Sequence, residues 1–219
     1  MAEIVKGRGV KVEVGYTEGA AVAISAVSNA NPGIASRPSH GLLAGSVGYF
    51  DNIEGMDPLD GQAIRVADAG SPSADNFGLE NIDTSEFPDF ASGDYVPITA
   101  WRTLSQSTQY QLGGGAPRTE DVGTLLDTTE KVETVKLAAE TVTIDVRSLE
   151  SDNEALKKVR EVARKAGSMV FRITLAKGAQ RIFRGQPSIP GESLTQGATG
   201  TGQLTITVKG QIVYLDALA

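Results

Sequence analysis

The sequence predicts a mainly β protein with one α-helix and a small antiparallel β-barrel inserted into a larger β-rich domain. Three observations carry this. The 219 residues include 25 glycines and only 5% aromatics, a composition of many turns and short strands. Apolar and polar residues alternate in most apolar runs, and a single run has helical spacing. The charge is also uneven. Residues 19–97 hold eleven acidic side chains and two basic ones, Arg37 and Arg65, against sixteen acidic and eighteen basic in the rest. So abrupt a shift implies two modules. Residues 1–18 and 98–219 form one discontinuous domain, and 19–97 form an acidic insert.

Within the first piece, Val10-Lys11-Val12-Glu13-Val14 alternates as a half-buried strand does. Ala20–Val27 is apolar and ends at Asn29-Ala30-Asn31-Pro32-Gly33, a strong turn signal. Ser46–Phe50, Gln62–Ala67 and Asn76–Ile82 read as short strands. Asp51–Gly61 reads as turns, and Ser71–Ala74 and Glu86–Gly93 as loops. Short strands bounded by Gly, Pro, Asn or Asp suggest a small antiparallel barrel. The pattern changes at Ile98. Trp101–Leu112 alternates loosely. Gly113-Gly114-Gly115-Ala116-Pro117 does not suit regular structure, Arg118–Lys131 is polar, and Val132–Arg147 is the longest strand-like run.

Ser151-Asp152-Asn153-Glu154 has the form of a capping box. Leu156, Val159, Ala163 and Ala166 follow on one helical stripe, and Gly167 is a natural stop. Val170–Leu175 and Ala179–Arg184 flank Lys177-Gly178 as a hairpin. Leu204–Val208 and Gln211–Leu215 flank Lys209-Gly210 in the same way. Gln186–Gly202 reads as a loop. No βαβ repeat appears, which argues against a parallel nucleotide-binding sheet.

Little here suggests catalysis. The chain has no cysteine, so disulfide frameworks, thiolate zinc sites and cysteine nucleophiles are excluded. The one histidine, His40, has no nucleophile elbow to serve and reads as a turn residue. Asp51, Glu54, Asp57 and Asp60 are spaced by three, with Pro58 intruding and no closing Glu, which does not fit a calcium loop. Gly113–Gly115 lacks the Gly-Lys-Ser/Thr ending of a phosphate loop. Lys157 to Lys165 interleave with Glu154 and Glu161 as a self-paired, solvated face. No cofactor is implied. Met1–Lys11 lacks the apolar run of a signal peptide, and no stretch suits a membrane-spanning helix, so assembly in a cytoplasm is expected. A net charge of −7 disfavours ordinary duplex binding.

Ile24-Ser25-Ala26-Val27, Asn31-Pro32, His40-Gly41-Leu42, Gly55-Met56-Asp57-Pro58-Leu59-Asp60-Gly61 and Ile64-Arg65-Val66-Ala67 occur in that order. Together they resemble a small β-barrel module of phage tail and virion proteins, itself similar to the first catalytic-cysteine half-domain of ubiquitin-activating enzyme. Gly45-Ser46-Val47-Gly48-Tyr49 departs from the module's usual pattern. The outer piece resembles the major tail tube protein of long, flexible-tailed phages. The likeness lies in Lys11–Val14, in Thr141–Arg147 before the helix, in Met169–Leu175 before a Gly turn, and in Gln203–Tyr214. The resemblance implies a β-sandwich flanked by one helix, hexameric rings stacked into a tube, and DNA passing through without specific binding. It further implies tape measure, tail terminator and distal tail proteins as partners, and no membrane.

On this reading the insert faces outward, and acidic residues outnumber basic ones on the strands lining the bore. A capsid decoration or baseplate subunit carrying the same barrel, or a secreted carbohydrate-binding β-protein, stand as alternatives. The last is disfavoured by a single tryptophan, Trp101. Gly113, Gly114, Gly115, Pro117, Leu125 and Leu126 are the candidate loop for stacking one ring on the next. Leu125-Leu126 has no local core to join, and burying both contributes roughly 3–6 kcal/mol per contact. Replacing both by Asp is expected to leave folded monomers that do not polymerise, as read by sedimentation and negative-stain microscopy.

Overall fold

The computed structural model describes residues 9–67, 73–105, 107–121, 132–147, 153–193 and 200–217. In chain order the first strands are β1 (Lys11–Glu18), β2 (Val22–Ala23), β3 (Ala26–Val27), β4 (Ile34–Ser36), β5 (Val47–Glu54), β6 (Ala63–Arg65) and β7 (Asn76–Gly78). The long β8 (Ser92–Thr103) follows, then β9 (Ser107–Gly113), β10 (Pro117–Asp121), β11 (Val132–Leu137) and β12 (Thr141–Arg147). The helix α1 (Glu154–Arg164) precedes β13 (Met169–Thr174), β14 (Gln180–Pro187), β15 (Gly191–Ser193) and β16 (Thr201–Leu215). The mainly β class with one helix is as the sequence predicts.

All ladders among the described residues are antiparallel. The main sheet has the order β6-β5-β8-β1-β13-β14-β16-β12-β9, with β2 and β15 as short additions; β3-β4-β7 and β10-β11 form separate small sheets. β8 runs unbroken through Pro97-Ile98, where the charge pattern changes. One end of it pairs with β5 of the acidic segment and the other with β1.

Two apolar clusters hold the fold. One is built from β1, β12, β13, β14, β16 and the helix, with Val14, Ile144, Phe171, Phe183 and Ile206 at its centre. The other fills the acidic lobe with Phe50, Met56, Phe77 and Tyr95, and it also takes in Val170, Ile182, Val213 and Leu215 from the outer strands. Neighbouring residues therefore point into different clusters: Val170 and Phe171, Ile182 and Phe183, Ile212 and Val213. β13, β14 and the end of β16 are covered on both faces, so the strict alternation of a one-sided sheet is lost there.

Polar contacts fasten the lobe to the same strands. The Arg65 side chain, 1% exposed, makes a bidentate pair with Glu80. It also donates to the Gln180 side chain at 3.2 Å and to the Asp216 carbonyl at 3.0 Å. Arg184 reaches Asp51 at 3.1 Å and lies 3.9 Å from the centre of the Tyr49 ring. The Asn81 amide donates to the Tyr214 carbonyl at 2.8 Å.

Several elements differ from the sequence reading. Lys209-Gly210 is not a hairpin turn, because β16 runs straight through it. Gly210 sits at φ +72°, and the β14–β16 register shifts between Ile182 and Arg184. This is a bulge, which uses the same positive-φ glycine as a tight turn. The backbone of Gln211 is displaced from the ladder and is bound by Gln62, which donates to its carbonyl at 3.0 Å and accepts its N–H at 2.7 Å. The helix is capped by Asn153, whose side chain accepts the Leu156 N–H at 3.2 Å. Glu154 is then the first helical residue and pairs with Arg102 at 2.7 Å, so it does not close a capping box; Ser151 lies outside the described residues. At the other end Ala166, not Gly167, takes the left-handed position at φ +51°, and the Gly167 N–H bonds back to the Val162 carbonyl. The buried stripe is Ala155, Leu156 and Val159, with Ala166 exposed.

Other strands are redistributed. Asp51–Glu54 continues β5, Trp101–Leu112 and Val132–Arg147 each divide into two strands, and Gly191–Ser193 pairs with β16. Arg65→Ala strips a largely buried carboxylate of its partner. It is expected to cost about 3 kcal/mol, measured by urea denaturation.

Candidate assembly surfaces

Residues 107–121 and 132–147 form one long two-stranded ribbon. β9 pairs with β12 inside the main sheet, ending with Gly113 opposite Thr141. Four residues further along each strand, Pro117 faces Leu137 and the pairing resumes as β10–β11. The register is therefore unbroken across the kink, and the outer half leaves the sheet as an arm. The glycine run that reads as irregular is a joint between two paired strands. Gly114 has φ +109°, and a Cβ there would lie 2.8 Å from the Ala139 carbonyl oxygen and the Glu140 Cα. Only glycine suits both conditions. The joint is held by the Ala138 N–H, which donates to the Ala116 carbonyl at 2.8 Å, and by the Thr141 hydroxyl, which donates to the Gly113 carbonyl at 3.1 Å. Gly113, Gly114, Gly115 and Pro117 are thus together at the arm's root. Leu125 and Leu126 lie outside the described residues.

A cleft of about 950 Å³ opens between that root, the bulged part of β16 and the lobe; Arg118, Glu140, Gln211, Tyr214 and Ile82 line it. Tyr214 is 50% exposed and lies under Arg181, whose guanidinium carbon is 4.5 Å from the ring centre.

A second surface escapes motif-based reading. In β12, Val142, Ile144 and Val146 point into the core, which leaves Thr141, Thr143, Asp145 and Arg147 on the other face. They sit opposite Thr207, Thr205, Gln203 and Thr201 of β16 on one side, and Thr143 and Asp145 sit opposite Gln111 and Gln109 of β9 on the other. These residues are half-buried or exposed. The rows present hydroxyls and amides with one acid and one base, and the Gln203 amide donates to Asp145 at 3.0 Å. The signal lies in the sequence as Thr-x-Thr-x-Asp-x-Arg and Thr-x-Gln-x-Thr-x-Thr, but it is a surface pattern with no motif attached.

The other candidate groups have structural partners. His40 Nδ1 accepts the Leu42 N–H at 2.9 Å and its ring meets Phe77 edge-on at 5.2 Å. Asp51 pairs with Arg184, Glu54 accepts from the Ser92 hydroxyl at 2.9 Å, and Asp60 accepts the Ile53 N–H at 3.2 Å. Asp57 opens a single 3-10 turn. Among the described residues no group of three or more acidic or histidine side chains could hold a metal, and no helix is long and apolar enough to cross a membrane. Burial, then the charge of Glu18, pushes the Tyr49 phenol up to about 12 against the opposing pull of Arg184. On the helix Glu161 holds Lys165 at 2.7 Å and Lys158 at 3.7 Å. The hydrogen bond from Lys165, then the charge of Lys158, lowers the Glu161 pKa.

A family model described as "Phage tail tube protein, TTP" matches residues 55–217. The match begins inside the acidic segment and extends through the arm, the helix and β16. No curated protein matches the chain.

Gly114→Ala forces a side chain into the joint at a backbone angle it disfavours. The expected cost is roughly 1–3 kcal/mol. Hydrogen exchange is expected to speed up at the Ala138 amide, while the amides of β13 stay protected.

Proposed function

Because the chain belongs to the phage tail tube protein family, it is a structural component of the virion, and we propose that it forms hexameric rings stacked into a tube that conducts DNA into the host during ejection. The observation that carries this reading is the Thr and Gln face of β9, β12 and β16. A conduit wall has to stay wet and must not hold the phosphate backbone. Fixed cations would grip it through counterion release, whereas hydroxyls and amides satisfy water without a net charge. On the rows described above, Asp145 and Arg147 balance, so the proposed wall is near neutral instead of carrying the acidic excess expected from the sequence.

The arm supports stacking in the same scheme. It projects two strands beyond the sheet, and Leu125-Leu126 falls in the segment joining them. The acidic lobe, with its own β3-β4-β7 sheet, is the module placed on the outside, where its bulk does not obstruct the bore. Tape measure, tail terminator and distal tail proteins are the expected partners of the finished tube, which assembles in the bacterial cytoplasm.

The chain has no cysteine, so single-cysteine variants report placement directly. In assembled protein, Thr143→Cys is expected to react with a small maleimide but not with one too bulky to enter the bore. Leu43→Cys in the lobe, 74% exposed, reacts with both. Bulky labelling of Thr143→Cys along the length of tubes would place that face outside. Discrete particles in place of tubes would favour a decoration or baseplate role.

A further inference from the structure

The outer face of α1 and the acidic lobe carry opposite charge on separate surfaces of one chain. The helix contains Lys157, Lys158, Arg160 and Arg164, with Lys165 at its C-cap, against Glu154 and Glu161. Both acids are already engaged, Glu154 by Arg102 and Glu161 by Lys158 and Lys165. Lys157 and Arg164 are exposed and have no acidic partner among the described residues. Seven residues apart, they lie on one side of the helix about 10.5 Å from each other. The buried stripe of Ala155, Leu156 and Val159 faces the sheet, so this side is turned away from the protein's own core.

On the lobe, Asp83, Glu86 and Asp89 stand at three-residue intervals on one exposed loop, and none has a basic partner among the described residues. Asp83 accepts from the Ser85 hydroxyl at 2.6 Å and the Asn31 amide at 2.8 Å. The lobe as a whole holds eleven acids and two bases. Rings that set such lobes side by side would repel unless each met a cationic surface.

We propose that the outer face of α1, through Lys157 and Arg164, docks the Asp83–Asp89 loop of a second copy of this chain. The two patches differ, so the contact is heterologous, the kind that forms a ring when its rotation closes. The inference rests on the reading that the chain assembles with copies of itself. It adds which surfaces meet and the charge that selects them. Partly exposed pairs of this kind act on register and salt dependence more than on total affinity.

The test is a charge-swap cycle on the full-length protein, with circular dichroism to confirm folding. Lys157→Glu/Arg164→Glu and Glu86→Lys/Asp89→Lys are each expected to weaken self-association about tenfold at low salt. All four changes in one chain restore it to within about threefold. The differences shrink at 1 M salt, where screening falls to about 3 Å. A helix variant that associates like wild type, or a four-fold variant no better than its parents, overturns the contact. Tubes that form normally from the helix variant sink this inference and leave the tube reading intact. Rescued rings that never stack support the contact and count against the tube.

Discussion

Three strands packed against apolar side chains on both faces are the constraint on which the rest of the structure depends. β13, β14 and the end of β16 have Phe171, Phe183 and Ile212 on one side and Val170, Ile182 and Val213 on the other. A strand in that position cannot be stable until both covers are in place, since each exposed side forfeits about 25 cal/mol per Å² of apolar area. The helix and β12 supply one cover, and the acidic lobe supplies the other. The lobe is therefore a wall of the outer strands' core, and Arg65, Gln62 and Asn81 close its polar rim on β14 and β16.

The sequence was most legible where one interaction decides the local structure. Lys177-Gly178 lies between two alternating runs and does form a turn, because β13 and β14 find each other across it. Lys209-Gly210 looks the same in sequence but forms a bulge. The difference is set from outside, by β14 pairing with residues on both sides of it and by Gln62 binding the displaced backbone of Gln211. A positive-φ glycine is readable, but whether the chain reverses there is a long-range property. The helix shows the same limit at its ends. Its existence follows from periodicity, whereas its cap is set by one local hydrogen bond, from the Leu156 N–H to the Asn153 side chain.

Charge misleads and informs at once. It marks residues 19–97 as a distinct surface, yet charge reports on solvent-facing atoms and says nothing of what is shared beneath. The apolar doublets Val170-Phe171, Ile182-Phe183 and Ile212-Val213 were the sign that the outer strands have a second cover. At the assembly surfaces, Gly113–Gly115 reads as irregular because the sequence shows the glycines but not the pairing on either side of them, β9 with β12 and β10 with β11. The Thr and Gln rows stay silent until β12 is placed between β9 and β16, since only pairing turns three alternating stretches into one face.

The register carried across the glycine joint, from Gly113–Thr141 to Pro117–Leu137, has a mechanical consequence. A pull on the far end of the arm runs along both strands in the same direction, so it does not peel one from the other. The force passes through the glycine joint into β12, whose seven paired positions, Thr141 to Arg147, lie along Thr201 to Thr207 of β16. That ladder is loaded in shear, with its hydrogen bonds sharing the force, instead of opening one at a time as a zipper does. The kink gives the arm its direction, and the pairing that resumes in the same register beyond it makes the arm a tension member anchored in the sheet.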